Sequence, residues 1–255
     1  MMQYFDMPFG DETRKLHIYL PDSYYDTDES YPVMYFFDGQ NLFFDQTATY
    51  GKTWGLNDFM QSWKKPMIIV GLECGHKEGQ RLSEYSPYDI NSDFFGGHID
   101  GLGDMTMQWI INEVKPLIDN TYRTYPFREA TGIAGSSMGG LMSLYAISKY
   151  NYIFSKAACL SSAILSELDY DISSSSLDSN TRIYISWGTH EGRGQGDDLP
   201  ENQWETSAAQ SNKRVESYFQ ERGASTYLFC QTYGRHTEAD WEKQVPLFMD
   251  FLWMQ

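Results

Sequence analysis

Residues 130–150 read ATGIAGSSMGGLMSLYAISKY, and this stretch decides the fold. Residues 130–135 form a short run of small residues that predicts a strand. From Met138 to Tyr150, Leu141, Leu144 and Ile147 recur on one face and predict a helix. A strand that turns this tightly into a helix is the building unit of a parallel sheet covered by helices. The same rhythm continues outward. Residues 33–37 (VMYFF) are apolar on both faces and stop at Asp38-Gly39, as a buried central strand does. Residues 67–72 (MIIVGL) repeat that pattern, and residues 15–20 (KLHIYL) alternate up to Pro21. Residues 104–122 carry Met107, Ile110, Ile111, Val114, Leu117 and Ile118 at helical spacing. Downstream, strands are predicted at 156–160, 182–187 and 226–232, and helices from about 204 to 222 and from 238 to 253. The polar stretch DISSSSLDSN (171–180) reads as surface loop. No repeat or linker interrupts the alternation, so the expectation is one α/β domain over residues 1–255, a mostly parallel sheet with helices on both faces.

Between the central strand and helix lies Gly135-Ser136-Ser137-Met138-Gly139, a match to G-x-S-x-G in the strand–turn–helix context that the motif requires. A serine hydroxyl becomes a useful nucleophile when it is exposed, near a base, and beside amides that can hold an oxyanion. A sharp turn into a helix meets these needs but strains the serine backbone and crowds its neighbours, which is why glycines flank it. Ser137 is therefore the candidate nucleophile, because a glycine stands two residues to either side of it. Ser136 and the Ser161-Ser162 pair lack that frame. The start of the helix directs the Met138 N–H toward the reacting oxygen.

On this architecture the triad runs in chain order Ser, then Asp or Glu, then His. His17, His76 and His98 precede the serine, although His76 or His98 can still line a site. His236 follows the last predicted strand in Tyr233-Gly234-Arg235-His236, on a loop at the carboxyl edge of the sheet, and is the candidate base. The loop after residues 182–187 reads Gly188-Thr189-His190-Glu191-Gly192. Glu191 is the candidate acid there, with Asp197 and Asp198 as alternates, and His190 reads as a pocket neighbour. The acid would accept the second imidazole N–H, fixing the tautomer and stabilising the imidazolium. The Gln40 N–H, just past the strand at 33–37, is the candidate second oxyanion donor. Because neutral imidazole is the working form, activity is expected to fall below about pH 6 to 7.

Composition narrows the function classes. The 255 residues include 19 Lys plus Arg against 35 Asp plus Glu, a formal charge of −16, which disfavours nucleic acid and anionic membrane surfaces as partners. A hydrophobic fraction of 41% with 21% charged residues argues against wholesale disorder. The longest strand-like apolar run, 66–72, is far too short to span a bilayer. The opening MMQYFDMPFG lacks the basic start and apolar stretch of a secretory signal, and Cys74, Cys159 and Cys230 form no Cys-x-x-Cys pair. Both features point to a cytoplasmic protein with reduced thiols. The histidines show no paired metal-ligand spacing, so neither metal nor cofactor is expected.

The segments YPVMYFFDGQNLF, RLSEYSP, VKPLIDNTYRTYPFREATGIAGSSMGGLMSLYA, WGTHEG and GRHTEADWEKQVPLFMDFLW together resemble the putative-esterase family of α/β-hydrolases. That family includes feruloyl and acetyl esterases, siderophore esterases and S-formylglutathione hydrolase. The resemblance implies an α/β-hydrolase fold, with Ser137 as nucleophile, His236 as base, Glu191 as acid, and Met138 and Gln40 as oxyanion donors. Some members use Asp in place of the Glu. It implies a serine carboxylic ester hydrolase working through an acyl-enzyme on a small acyl or aryl ester, carbohydrate-linked esters included. A siderophore (catecholate ester) esterase, an acyltransferase on the same fold and a non-catalytic binding protein are the alternatives. Only residues 163–181 separate two predicted strands where many lipases insert a helical cap, so no large cap domain is expected. Arg81 could meet a substrate oxygen or form a salt bridge with Glu84 or another acid, and Trp54 could stack on a sugar or aryl ring. The family's habits are compatible with a homodimer.

Overall fold

The structure is a computed structural model that describes residues 1–93, 96–191 and 206–254. Its strands are β1 (Met2–Phe9), β2 (Glu12–Tyr19), β3 (Val33–Phe37), β4 (Ile68–Leu72), β5 (Ile90–Ser92), β6 (Gly97–Ile99), β7 (Thr131–Ser136), β8 (Lys156–Leu160), β9 (Arg182–Gly188) and β10 (Ser225–Gln231). Its helices are α1 (Leu56–Ser62), α2 (Gln80–Glu84), α3 (Gly103–Trp109), α4 (Lys115–Thr121), α5 (Met138–Lys149), α6 (Leu168–Ser174), α7 (Ser207–Glu221), α8 (Glu238–Glu242) and α9 (Val245–Trp253). A π-helical segment, Ile110–Val114, joins α3 to α4 without a break.

Eight strands form one sheet in the order β1-β2-β4-β3-β7-β8-β9-β10. Pairing is parallel from β4 to β10, and β1 and β2 add an antiparallel margin beside β4. After β3 the chain turns to one side for β4 and then returns to the other side for β7. This reversal opens a crevice at the carboxyl ends of β3 and β7, which is where open α/β sheets bind ligands.

Side-chain alternation builds a core on each face. Val33, Tyr35 and Phe37 of β3 join Val70 and Ile133 in one cluster, roofed by Ile110, Val114, Leu141, Ile172, Val215 and Phe219. Met34 and Phe36 point the other way, to Ile69, Ala134 and Tyr184, and are covered by Leu56, Met60, Phe248 and Leu252. Burial of all five β3 side chains explains why VMYFF carries no polar alternation. Helices therefore lie on both faces, in agreement with the expected class.

Several predicted boundaries shift, for local reasons. Strand β1 was not predicted. Its exposed side chains blur the period-2 signal, and it is held by an eight-residue antiparallel ladder with β2. Residues 171–180 are not wholly loop, because α6 extends to Ser174 and buries Leu168 and Ile172 one turn apart. The single helix expected over 238–253 is two, and Pro246 stands at the start of the second. Helix α7 starts at Ser207, where the Thr206 side chain caps it by accepting the Ala209 N–H. Trp204, the expected start, lies outside the described residues. Residues 91–103 contain part of the small β5–β6 hairpin. Residues 163–181 contain α6 and no inserted cap domain.

Candidate active site

Among the described residues, the non-glycine positions with positive φ are Asp38, Ser137, Ser161 and Tyr233. They follow the carboxyl ends of β3, β7, β8 and β10 respectively. Such backbone costs of order 1–3 kcal/mol per residue and is kept where surrounding structure over-determines it, usually at sites.

Ser137 has φ 58° and ψ −121°. Its N–H donates to Leu160 O at 3.0 Å, and its carbonyl accepts the Ala163 N–H at 3.0 Å, so the end of β8 and the loop after it hold the turn from both sides. A side chain cannot be added beside it. A Cβ on Gly135 would stand 2.5 Å from the carbonyl carbon and oxygen of Gly139. Met138 opens α5, so its N–H has no intrahelical acceptor. On the facing loop, Gln40 lies in the 3-10 turn Gly39–Asn41. That turn is pressed onto β4: a Cβ on Gly39 would stand 2.5 Å from Gly71 C, and one on Gly71 would stand 2.8 Å from Gly39 Cα.

The loops carrying Glu191 and His236 are laced together. Thr189 N–H donates to Gln231 O (3.0 Å), His190 N–H to Gly234 O (2.9 Å), and Tyr233 N–H to Thr189 Oγ1 (2.8 Å). His236 Nδ1 lies 3.3 Å from Glu191 Oε2. The other carboxylate oxygen, Oε1, accepts the Gly188 N–H and the Ser161 hydroxyl, each at 2.6 Å. Trp241 Nε1–H then donates to Ser161 Oγ at 2.8 Å, and the same indole meets the His236 ring edge-on at 5.1 Å between centroids. Asp240 accepts the Arg235 N–H and the Thr237 hydroxyl, clamping the loop around His236. Burial alone would raise the Asp240 carboxyl, but Lys243 and these donors hold it below the usual carboxylate range.

Ser137, His236 and Gln40 line one cavity of about 570 Å³, together with Asp38, Arg81 and Glu238. Arg81 is placed in this wall, and its acid is Asp38 rather than Glu84. The guanidinium spans both Asp38 oxygens at 2.7 Å through Nε and Nη2, and its carbon sits 5.2 Å from the Tyr85 ring centre. Burial would lower the Arg81 pKa, but the Asp38 carboxylate raises it above the ordinary guanidinium value. Glu84 instead pairs with Arg14, both side chains being buried.

Two expectations need correction. Trp54 does not line the cavity: it is buried in the core against Phe36, Trp241 and Phe248. His190 does not line it either. Its ring is buried beside Thr189 Oγ1 and Tyr233, and its residue serves the lacing between the two loops. His76 does line the cavity, whereas His98 stays on the β5–β6 hairpin beside Asn91 and Asp100. Asp197 and Asp198, the alternate acids, lie outside the described residues. Asp38, Ser161, Glu238, Asp240 and Trp241 were not singled out as site residues. The last three stand within HTEADW directly after the candidate base, which was the available signal. Among the described residues, no three His, Cys, Asp or Glu side chains converge as a metal site would require, and no helix is long and apolar enough to cross a membrane.

Solved structures share this fold. An IroE-like serine hydrolase from Shewanella oneidensis superposes with a TM-score of 0.73 at 19% identity, covering 98% of this chain and 81% of that one. The siderophore hydrolase EstA from Aspergillus nidulans gives 0.74 at 16% identity, covering 98% and 95%. In sequence, the uncharacterized protein YbbA of Bacillus subtilis is 32% identical over 188 residues, which is 71% of this chain and 70% of that protein. The family model described as "Putative esterase" matches residues 10–250, nearly the whole length, and the chain belongs to that family.

Proposed function

We propose that the protein is a serine carboxylic ester hydrolase working through an acyl-enzyme. The observation that carries this reading is Ser137, in its strained turn, sharing one cavity with a histidine whose Nδ1 faces a carboxylate. In the first step Ser137 Oγ attacks the ester carbonyl while His236 Nε2 takes its proton, and Glu191 holds the Nδ1–H and stabilises the imidazolium. The Met138 and Gln40 N–H groups face the developing oxyanion. His236 then returns the proton to the departing alcohol. Water repeats the sequence on the acyl-serine and releases the acid. A cavity of about 570 Å³ suits a small acyl or aryl ester.

Catecholate esters are a second reading, supported by the siderophore hydrolase among the structures of like fold. The engagement of Arg81 by Asp38 weighs against it, since the guanidinium is already matched by a carboxylate. The test is hydrolysis of p-nitrophenyl acetate and butyrate by wild type and Ser137→Ala. Activity that drops at least about a thousandfold in the variant supports the proposal. Equal activity in both proteins, or none in either, refutes it. A catecholate ester in the same assay decides the second reading.

A further inference from the structure

The cavity wall holds two carboxylates in different states. Asp38 is matched by Arg81 on both oxygens. Glu238 is 7% exposed, and its carboxylate is met by neutral donors, its own backbone N–H and Asn41 Nδ2, which donates to Oε1 at 3.4 Å; among the described residues no ion pair forms with it. Burial, and then the Asp38 charge, raise its carboxyl above the usual range, while its own backbone N–H, His236 and Arg81 pull the other way. A buried carboxylate without a cation is expensive to maintain and is ordinarily matched by one or by a fuller set of donors. Glu238 lines the same cavity as Ser137 and His236. That space is only about 10 Å across if compact, so one small molecule can touch the serine and Glu238 together.

We infer that Glu238 is a specificity residue, which binds a hydrogen-bond donor or cationic group carried by the ester substrate beyond its scissile bond. The inference rests on the hydrolase reading and names the substrate class for the same cavity: esters bearing hydroxyl or ammonium groups, with anionic esters disfavoured. Glu238 stands two residues after His236, so a group placed on it lies on the histidine's side of the cavity. Asn41, next to the Gln40 N–H donor, fixes the carboxylate from the opposite loop.

The test uses three butyrate esters on the full chain. Glyceryl monobutyrate offers neutral hydroxyls, butyrylcholine offers charge without a donor, and propyl butyrate offers neither. The wild type is expected to prefer at least one of the first two over propyl butyrate by about tenfold or more in kcat/KM, as one hydrogen bond to a charged acceptor gives. Whichever is preferred identifies the donor or the cation. Glu238→Gln keeps the side-chain volume and is expected to cut that ratio to about threefold or less, chiefly through KM. Wild-type values within about threefold for all three esters overturn the inference. So does a uniform loss on all three in Glu238→Gln, which would mark a residue that positions His236 instead.

Binding of the same esters to Ser137→Ala, with and without Glu238→Gln, separates this inference from the hydrolase reading. If no ester is turned over, the hydrolase proposal fails. A Glu238-dependent binding preference then keeps the inference, and equal binding removes it.

Discussion

Glu191→Gln is the sharpest probe of the candidate triad, because the structure dictates how the amide must sit. Glu191 Oε1 accepts two donors, the Gly188 N–H and the Ser161 hydroxyl, whereas Oε2 faces only His236 Nδ1. A glutamine has one oxygen to give. Turning its NH2 toward Gly188 would leave a buried backbone donor facing another donor, at about 1–3 kcal/mol. The oxygen therefore stays with Gly188 and Ser161, and the NH2 faces Nδ1. His236 must then accept at Nδ1 and carry its proton on Nε2, the wrong tautomer for a base. The expected loss in kcat is about 10³–10⁴-fold, or about 4–5.5 kcal/mol of transition-state stabilisation. Folding stability should change by about 1 kcal/mol or less, because both buried donors keep their acceptor. Turnover of p-nitrophenyl butyrate, urea denaturation and imidazole ¹⁵N shifts of His236 would read the three quantities. Activity within about tenfold of wild type, or a protonated Nδ1 in the variant, would refute the reasoning. Glu191→Ala, by contrast, should lose both activity and stability, since Gly188 and Ser161 are orphaned together.

Other consequences are open to measurement. Gly135→Ala should destabilise by about 1–3 kcal/mol or more and remove activity, because the new Cβ meets Gly139 backbone rather than a movable side chain; wild-type urea midpoint and turnover would contradict this. The Lys156 ammonium is lowered from 10.5 to about 8, first by burial and then by neighbouring Arg182. Its charged form is thus penalised in the fold at pH 7, and the penalty lifts as pH rises through 8 toward 10.5, where only the unfolded chain holds the proton. Wild type should therefore gain stability relative to Lys156→Met between pH 7 and pH 10, as read by paired urea titrations. A constant difference would contradict this. Burial pushes the Cys74 thiol up to about 12, with Asp38 adding to the effect, and raises Cys159 as well. At pH 8 only about one Cys74 in 10⁴ is thiolate, so iodoacetamide should spare both cysteines in the native protein and label both in urea, as seen by mass spectrometry.

What could be read in the sequence, and what could not, divides along contact range. The turn at Ser137 was legible because its constraints are local: two glycines, a strand before and a helix after. Strands β3 and β8 appeared at their true bounds because burial on both faces leaves an apolar run, continuous in β3 and broken in β8 only by its first residue, Lys156. Trp54 was misplaced because an indole in a core and an indole in a cavity look alike in sequence; only the packing of Phe36, Phe248 and Trp241 around it decides. The Asp38–Arg81 pair spans 43 positions and could not be told from an Arg81–Glu84 pair by spacing, which favours the nearer acid. Glu191 was reachable by chain order. Its support by Ser161 and Trp241 depends on three separate carboxyl-end loops meeting in space.

The contact between Gly39 and Gly71 restricts how this chain can change over time. Neither position has space for a methyl group, because each is occupied by the backbone of the other. A single alanine at either site forces the Gln40 turn and strand β4 apart. Once they are apart, the second alanine meets less resistance, so the two substitutions should be strongly non-additive. Every one-step path away from the pair crosses a poorly folded intermediate. Descendants of this sequence should therefore keep both glycines or replace both, and the Gln40 turn should drift as a unit with the strand beneath it.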